Sequence, residues 1–303
     1  MITRDFFSGC SSLHARVVVN HPPVATLLLA GILLILQGLL SQPAFAASEL
    51  MVSPTRVVFE GRTRSARITL ANTGDATGRY RISFLQRQMT DSGELAEVKE
   101  GTPGMYADDL VRFSPREVTL PPGQSQVVRL LLRKKSGLQD GEYRSHLLFQ
   151  SLPDPTTTSI QTLTDKSTDK LQIQLIPIVG VSIPVIVRQG SLQASAKLTN
   201  LQFHPAKDSK QPTQLTLTLS REGDRSLYGD FRVMFTPEGG SPLMVGQVSG
   251  LAIYTPNMQR KVSLNLQAPP GVKLKRGELH VAYLESGQDA QKGLIAEGRL
   301  RLP

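Results

Sequence analysis

Residues 108–134, DDLVRFSPREVTLPPGQSQVVRLLLRK, contain the pattern that decides the fold. Apolar and polar residues alternate on both sides of a Pro-Pro-Gly turn at Pro121 to Gly123, and this period of two is typical of β-strands with one buried face. Similar segments recur along the chain, such as ARITLANTG (66–74) and ELHVAYLES (278–286), whereas long stretches with a helical period are absent. The sequence therefore predicts an all-β protein.

The alternating segments fall into two successive blocks. Short strands separated by turn signals between Glu49 and Val187 predict an immunoglobulin-like sandwich. Further short alternating runs after Gln189 predict a second, smaller β-sandwich. A length of 303 residues agrees with two domains. We therefore expect an N-terminal domain over residues 47–189 and a C-terminal domain over residues 190–303.

Residues 1–46 predict a secretory signal peptide. A basic start is followed by the apolar run VATLLLAGILLILQGLL (24–40) and by small residues suited to signal peptidase. We expect cleavage between Ala46 and Ala47, and the long segment before the run also allows a start codon further along the chain. An uncleaved membrane anchor is the alternative, but the run is short for a membrane span, which needs about 20 residues.

Charge and cysteine content narrow the function classes. The only cysteine, Cys10, lies in the predicted signal peptide, so the exported chain must rely on its apolar cores rather than on disulfides. The formal net charge is +9, and removal of Arg4, Asp5 and Arg16 with the signal peptide subtracts +1 and leaves +8. The basic residues are scattered and form no run with interleaved aromatic residues, which argues against nucleic-acid binding.

No catalytic or metal-binding motif is present in the sequence. The three histidines after the signal peptide, His146, His204 and His280, are far apart and lack the paired short spacing of a zinc site. The nucleophile-elbow, P-loop and dinucleotide-binding patterns are also missing. We therefore expect no enzyme activity, no catalytic residue, no metal, no cofactor and no small-molecule substrate.

The run LQIQLIPIVGVSIPVIV (171–187) is long, uncharged and rich in β-branched residues. Leu171, Ile173 and Leu175 alternate with glutamines, and a polar tract precedes them. Taken alone, the run is an ordinary core strand or an edge strand. An exposed apolar edge is an aggregation hazard unless a partner covers it.

Several segments in order carry a family resemblance: SPTRVVFEG (53–61), LANTG (70–74), RFSPREVTLPPGQSQVVRLLLRK (112–134) and LQIQL (171–175). Together they resemble the periplasmic chaperones of chaperone–usher pilus assembly over residues 48–184. The resemblance implies two immunoglobulin-like β-sandwich domains in a boomerang arrangement. It also implies a periplasmic chaperone that lends its seventh strand to pilus-type protein subunits and delivers them to an outer-membrane usher.

The resemblance assigns roles to particular residues. Arg56 matches a first-strand arginine that holds the C-terminal carboxylate of the subunit. Arg129 and Glu142 match positions of a structural inter-domain ion pair. The positions that match the donor strand are Leu171, Ile173 and Leu175.

The chain departs from the family pattern at Gly180, where the family's seventh strand carries a lysine. No lysine or arginine occurs between Leu171 and Val187. This departure supports an alternative, in which a two-sandwich envelope protein uses the same fold for another ligand or for a structural role. The apolar edge also suggests that the free protein caps itself as a homodimer.

Overall fold

The computed structural model describes residues 49–99, 101–153, 178–206, 211–286 and 293–303. The predicted signal peptide and the predicted donor residues Leu171, Ile173 and Leu175 lie outside the described residues. Every helix or strand element in these five ranges is a β-strand, which confirms the predicted all-β class. In the same ranges, no helix is long and apolar enough to cross a membrane.

The N-terminal half forms an immunoglobulin-like sandwich. Its strands are β1 (Leu50–Ser53), β2 (Val57–Phe59), β3 (Ser65–Asn72), β4 (Gly78–Leu85), β5 (Arg87–Met89), β6 (Leu95–Glu97), β7 (Val111–Ser114), β8 (Glu117–Leu120), β9 (Ser125–Leu132), β10 (Gly141–Ser151) and β11 (Gly180–Gln189). The first sheet has the order β1-β3-β9-β7, and the second has the order β2-β11-β10-β4-β8. Strands β5 and β6 form a separate hairpin.

The segments ELMVSPTRVVFEG (49–61) and DDLVRFSPREVTL (108–120) each predict one strand, with a bend at Pro54 in the first, but both are divided between the two sheets. β1 pairs with β3 and β2 pairs with β11, and the division falls at Pro54. β7 pairs with β9 and β8 pairs with β4, and the division falls at Pro115. Proline has no N–H to donate to a strand ladder, so each proline marks the place where one strand's pairing ends and the next begins.

The core of this sandwich follows from the period of two. Ile68 and Leu70 on β3 are fully buried, and so are Val128 and Leu130 on β9, while the residues between them face outward. Phe149 on β10 contributes one of the largest buried side chains. Burying a side chain of this size stabilises the fold by about 1.5–3 kcal/mol.

The C-terminal half forms the second sandwich. Its strands are β12 (Ala194–His204), β13 (Thr213–Gly223), β14 (Leu227–Pro237), β15 (Leu243–Ile253), β16 (Gln259–Leu266), β17 (Gly277–Glu285) and β18 (Leu294–Leu302). A sheet with the order β12-β13-β16 packs against one with the order β15-β14-β17-β18. The two predicted immunoglobulin-like sandwiches are therefore confirmed.

Strand β15 is longer than the sequence predicts. The apolar run LAIYTP predicts a strand from Leu251, but β15 begins at Leu243. Gly246 and Gly250 lie in the part that the prediction missed, and glycine lowers strand propensity. The pairing of β15 with β14 also shifts register twice, which the alternating pattern does not indicate.

Candidate functional site

One face of the second N-terminal sheet lies against the C-terminal sandwich. Successive side chains of a strand point to opposite faces, so Glu142, Arg144 and His146 of β10 share this face. Their strand neighbour β11 contributes Ile186 and Arg188, which are the register partners of Arg144 and Glu142. We call these five residues the junction face.

Glu142 is the centre of the polar contacts at the junction face, and its side chain is 0% exposed. Its Oε2 atom accepts hydrogen bonds from Arg188 Nε and from the backbone N–H of Ser226, both at 3.1 Å. The hydroxyl of Ser226 donates to Glu142 Oε1, and Thr255 Oγ1 donates to the same oxygen at 3.4 Å. Arg188 also pairs with Glu60 at 2.8 Å. Because Ser226 and Thr255 belong to the C-terminal sandwich, this carboxylate joins the two sandwiches.

The structure corrects the predicted ion pair between Arg129 and Glu142. Arg129 is exposed on β9, where its register partners are Arg67 and Ser114. Among the described residues, the cation that pairs with Glu142 is Arg188. β9 and β10 belong to opposite sheets of the sandwich, and the spacing of residues along the sequence does not indicate the sheet to which each strand belongs.

An apolar cluster surrounds these polar contacts. Ile186 of the junction face is buried together with Met89, Ala252 and Tyr254. Partly buried side chains that pack against this cluster include Tyr228. The cluster removes water from the junction, so charges beside it interact more strongly than they would on an open surface.

Arg56 lies next to the junction face, just before β2. Its guanidinium carbon is 4.4 Å from the centre of the Tyr228 ring, and its buried Nε atom has no hydrogen-bond acceptor within the described part of the chain. Burial lowers the pKa of Arg56 and the charge of Arg188 lowers it further, while Tyr254 and Glu142 raise it. An arginine pKa is ordinarily so high that the side chain stays cationic at neutral pH.

Arg56 lines a cleft of about 430 Å³ together with Arg188, Arg225 and Tyr228. A planar guanidinium of this kind can pair with both oxygens of one carboxylate. Glu60 also lines the cleft and pairs with Arg188 and Arg225. Arg56 is therefore the lining arginine that can bind an added anionic group.

Two further basic side chains of the junction face are buried without full pairing. The Arg144 guanidinium carbon lies 4.3 Å from the centre of the Tyr254 ring, and its Nη2 donates to the carbonyl of Arg87 at 3.3 Å. His146 is fully buried, and neither ring nitrogen has a partner in the described ranges. Burial, with the charges of Arg144 and Arg87, lowers the pKa of His146 to about 3, so this imidazole is neutral at physiological pH.

Strand β11 has an open edge at its N-terminal end. β10 pairs with β11 along its length, but β2 pairs only with Val185–Val187. Residues 180–184 consequently have no second neighbouring strand among the described residues. Ile178, Val179 and Val181 are 58%, 66% and 36% exposed, so apolar side chains accompany this edge.

Sequence reasoning located part of this site and missed the rest. Arg56 and Glu142 both lie at the junction, but Arg144, Tyr228 and Tyr254 were not identified. The segment GEYRSHLLF places polar residues at alternate positions inside an apolar strand, and this signal could have indicated a contact face. No local signal marks the two tyrosines, because they come from the other sandwich.

Gly180, where the family has a lysine, begins β11 opposite Gln150.

The described residues contain no group of three or more His, Cys, Asp or Glu side chains that could hold a metal ion. The polar groups described at the junction include arginines, tyrosines, His146 and the paired carboxylates of Glu142 and Glu60. This arrangement favours recognition of anions through hydrogen bonds and charge.

Comparison with known proteins gives a family match for the N-terminal sandwich. Residues 49–193 match the family model described as "Pili and flagellar-assembly chaperone, PapD N-terminal domain". No curated protein sequence matches the chain.

Solved structures of similar fold include the class 5 fimbriae chaperone CfaA, with 13% identity, coverage of 84% of this chain and 99% of that chain, and a TM-score of 0.40. The E. coli chaperone DraB has 14% identity, coverage of 84% of this chain and 97% of that chain, and a TM-score of 0.40. The family assignment depends on the sequence match and not on these structural likenesses. Residues 49–193 are therefore similar to the N-terminal domain of PapD-type pilus-assembly chaperones.

Proposed function

We propose that the protein is a periplasmic chaperone that binds pilus-type subunits by donating a β-strand and delivers them to an outer-membrane usher. The observation that carries this proposal is the open, apolar edge of β11, which directly follows the predicted donor segment in the sequence. The match of residues 49–193 to a family of pilus-assembly chaperones supports the chaperone role. An open strand edge is the element to which an incomplete sandwich can add through backbone hydrogen bonds.

The direction of side chains along β11 supports the choice of donor residues. β11 directs odd-numbered residues such as Ile183 and Val185 into the sandwich core. The predicted donor residues Leu171, Ile173 and Leu175 have the same parity in the sequence. If the period of two continues, these three apolar side chains lie on the side where a subunit's incomplete core would be completed.

Arg56 supports a second contact with the subunit, at its C-terminal carboxylate. The guanidinium is cationic, partly buried and without a carboxylate partner among the described residues, and it faces an open cleft. A largely buried cation without a carboxylate partner is stabilised when a bound subunit supplies the carboxylate. The free energy for release of the subunit would come from its later pairing with another subunit, so no nucleotide cofactor is needed.

One observation favours a second candidate function. Gly180 stands where the family has a lysine, and residues 171–187 contain no lysine or arginine, so the usual two-residue anchor for the carboxylate lacks its lysine. A two-sandwich envelope protein with a different ligand or a structural role would not need that anchor. A neighbouring gene for an usher barrel and for small secreted β-rich subunits would favour the chaperone over this alternative.

The decisive experiment is co-purification from periplasm with such a subunit, comparing the wild type with Ile173→Asp. We expect the substitution to abolish the complex while the chaperone still folds, because an aspartate facing an apolar groove is desolvated without a partner. Gln174→Asp is the matched control, since it places the same charge on the opposite face of the predicted donor strand. If Ile173→Asp retains the complex, donation of this strand is wrong.

Arg56→Ala tests the carboxylate contact separately. We expect at least tenfold weaker binding of the subunit, because loss of a partly buried charge-assisted contact costs on the order of 2 kcal/mol or more. Arg67→Ala removes an exposed arginine of β3 and should leave binding unchanged. Unchanged binding by Arg56→Ala would mean that this protein does not anchor the carboxylate through Arg56.

A further inference from the structure

A second cleft lies at the junction face. Its volume is about 530 Å³, and it shares no lining residue with the cleft at Arg56. Arg87 and Arg144 line it from the N-terminal sandwich, and Met258 lines it from the C-terminal sandwich. Pockets of this size accommodate a small organic molecule or one or two side chains of a bound protein.

Arg144 is the buried cation of this second cleft. It is 8% exposed, and its Nη2 atom donates to the carbonyl of Arg87. Its Nε and Nη1 atoms are buried and have no acceptor in the described part of the chain, and the same is true of Arg87 Nε. Buried donors without acceptors are rare in native proteins and are costly, so their concentration around one cleft indicates a missing anionic acceptor.

The other charged groups that line the cleft do not supply this acceptor. Glu142 is engaged by Arg188 and by the C-terminal sandwich, as described above. Asp224 accepts the backbone N–H of Gln193 at 2.7 Å, and Asp140 is exposed. The guanidinium of Arg221 is already hydrogen-bonded to backbone carbonyls.

The remaining lining is apolar and adaptable. Met105 and Met258 are 41% and 53% exposed, and the other apolar lining residues are Val98, Pro103, Tyr106 and Pro256. Methionine side chains are flexible and adapt their shape to different apolar partners. The two methionines can therefore adapt to an apolar group bound in this cleft.

We propose that this second cleft binds a carboxylate attached to an apolar skeleton, with Arg144 as the main anion-binding residue and Arg87 as the second donor. The carboxylate accepts the N–H groups that are unpaired in the free protein, and the apolar skeleton packs against the methionines and prolines. The same chemistry is available from a free organic acid and from an acidic side chain beside apolar residues in a bound protein. This inference does not depend on strand donation or on the role of Arg56.

The test is calorimetric titration of the full chain with phenylbutyrate, alongside its uncharged analogue phenylbutanamide. We expect saturable binding of phenylbutyrate in the millimolar range or tighter, at least tenfold weaker binding of the amide, and a higher Tm with the acid present. Arg144→Met should weaken binding of the acid at least tenfold. Arg67→Met, which changes an exposed arginine of β3 that lines neither cleft, should not change it.

A folding defect in Arg144→Met would be detected by circular dichroism, and Arg87→Met then serves as the second variant, with an expected loss of severalfold. Equal binding of acid and amide, or unchanged binding of the acid in both variants, overturns the proposal. Absence of any binding to the wild type also overturns it.

A competition arm identifies the source of the carboxylate. If phenylbutyrate competes with a pilus-type subunit, the subunit supplies the carboxylate. If the preformed complex still binds phenylbutyrate with the affinity of the free chain, the ligand is a free acid. Ile173→Asp would disrupt the subunit complex without affecting phenylbutyrate, so the failure of the proposed function and the failure of this site can be told apart.

Discussion

Replacing Glu142 by glutamine tests how strongly one buried carboxylate stabilises the protein. Glutamine keeps the size of the side chain and one acceptor oxygen, but it removes the charge that faces Arg188 at 3.1 Å. Arg188 is only 10% exposed, so Glu142→Gln leaves a largely buried guanidinium with one carboxylate partner fewer. Breaking a buried ion pair from one side costs about 3–5 kcal/mol.

The expected magnitude lies at the lower end of that range. Arg188 keeps its contact with Glu60 at 2.8 Å, but the Glu60 side chain is 53% exposed and its charge is therefore partly screened by water. We expect Glu142→Gln to lower the free energy of unfolding by about 3 kcal/mol. Glu60→Gln is the matched control, because it removes the exposed partner of the same arginine, and we expect a cost of about 0–1 kcal/mol.

Urea unfolding of the wild type and both variants measures these differences in the free energy of unfolding. The slope m of each transition is compared to check that unfolding exposes the same amount of surface in all three proteins. A double-mutant cycle with Ser226→Ala adds a measure of the contact between the sandwiches, and we expect a coupling of about 0.5–3 kcal/mol. If Glu142→Gln and Glu60→Gln cost the same within about 0.5 kcal/mol, burial does not govern the strength of this network, and the reasoning fails.

Three further predictions follow from the described residues. The pKa of His146 is lowered from 6.5 to about 3, so the stability that neutral His146 contributes is present above pH 6.5 and is lost as the pH falls toward 3. The free energy of unfolding of the wild type should therefore fall by about 1.4 kcal/mol per pH unit below pH 6.5, and His146→Gln should lack this loss. Parallel pH profiles of the two proteins would contradict the prediction. Arg129 lies directly opposite Arg67 on the outer face of the first sheet, and the two like charges repel each other. Urea unfolding should therefore show that Arg129→Thr stabilises the protein by about 0.2–1 kcal/mol. A loss of stability would contradict this prediction. The open edge at Val181 should let the free protein self-associate. In analytical ultracentrifugation, Val181→Lys should therefore lower the sedimenting mass at high protein concentration. A wild type that is monomeric at every concentration would refute self-capping.

The secondary structure could be predicted from the sequence because its signals are local. The period of two in ARITLANTG already distinguishes buried Ile68 and Leu70 from their exposed neighbours. The same reasoning predicted single strands through Pro54 and Pro115, because apolar alternation continues across both prolines while the pairing partners change. Pairing partners are a property of the folded chain and leave no mark in a local pattern.

The sequence by itself determined the all-β class and the two sandwiches, and its family resemblance led to the prediction that Arg56 binds a subunit's carboxylate. The tertiary structure decided that Arg188 rather than Arg129 pairs with Glu142, that Arg144 is buried against Tyr254, and that part of β11 lacks a second neighbour. The physical reason is separation along the chain: Arg188 meets Glu60 across 128 positions, and Glu142 meets Ser226 across 84. Contacts over such distances depend on the sheet to which each strand belongs and on how the two sandwiches pack, and only the folded molecule specifies both.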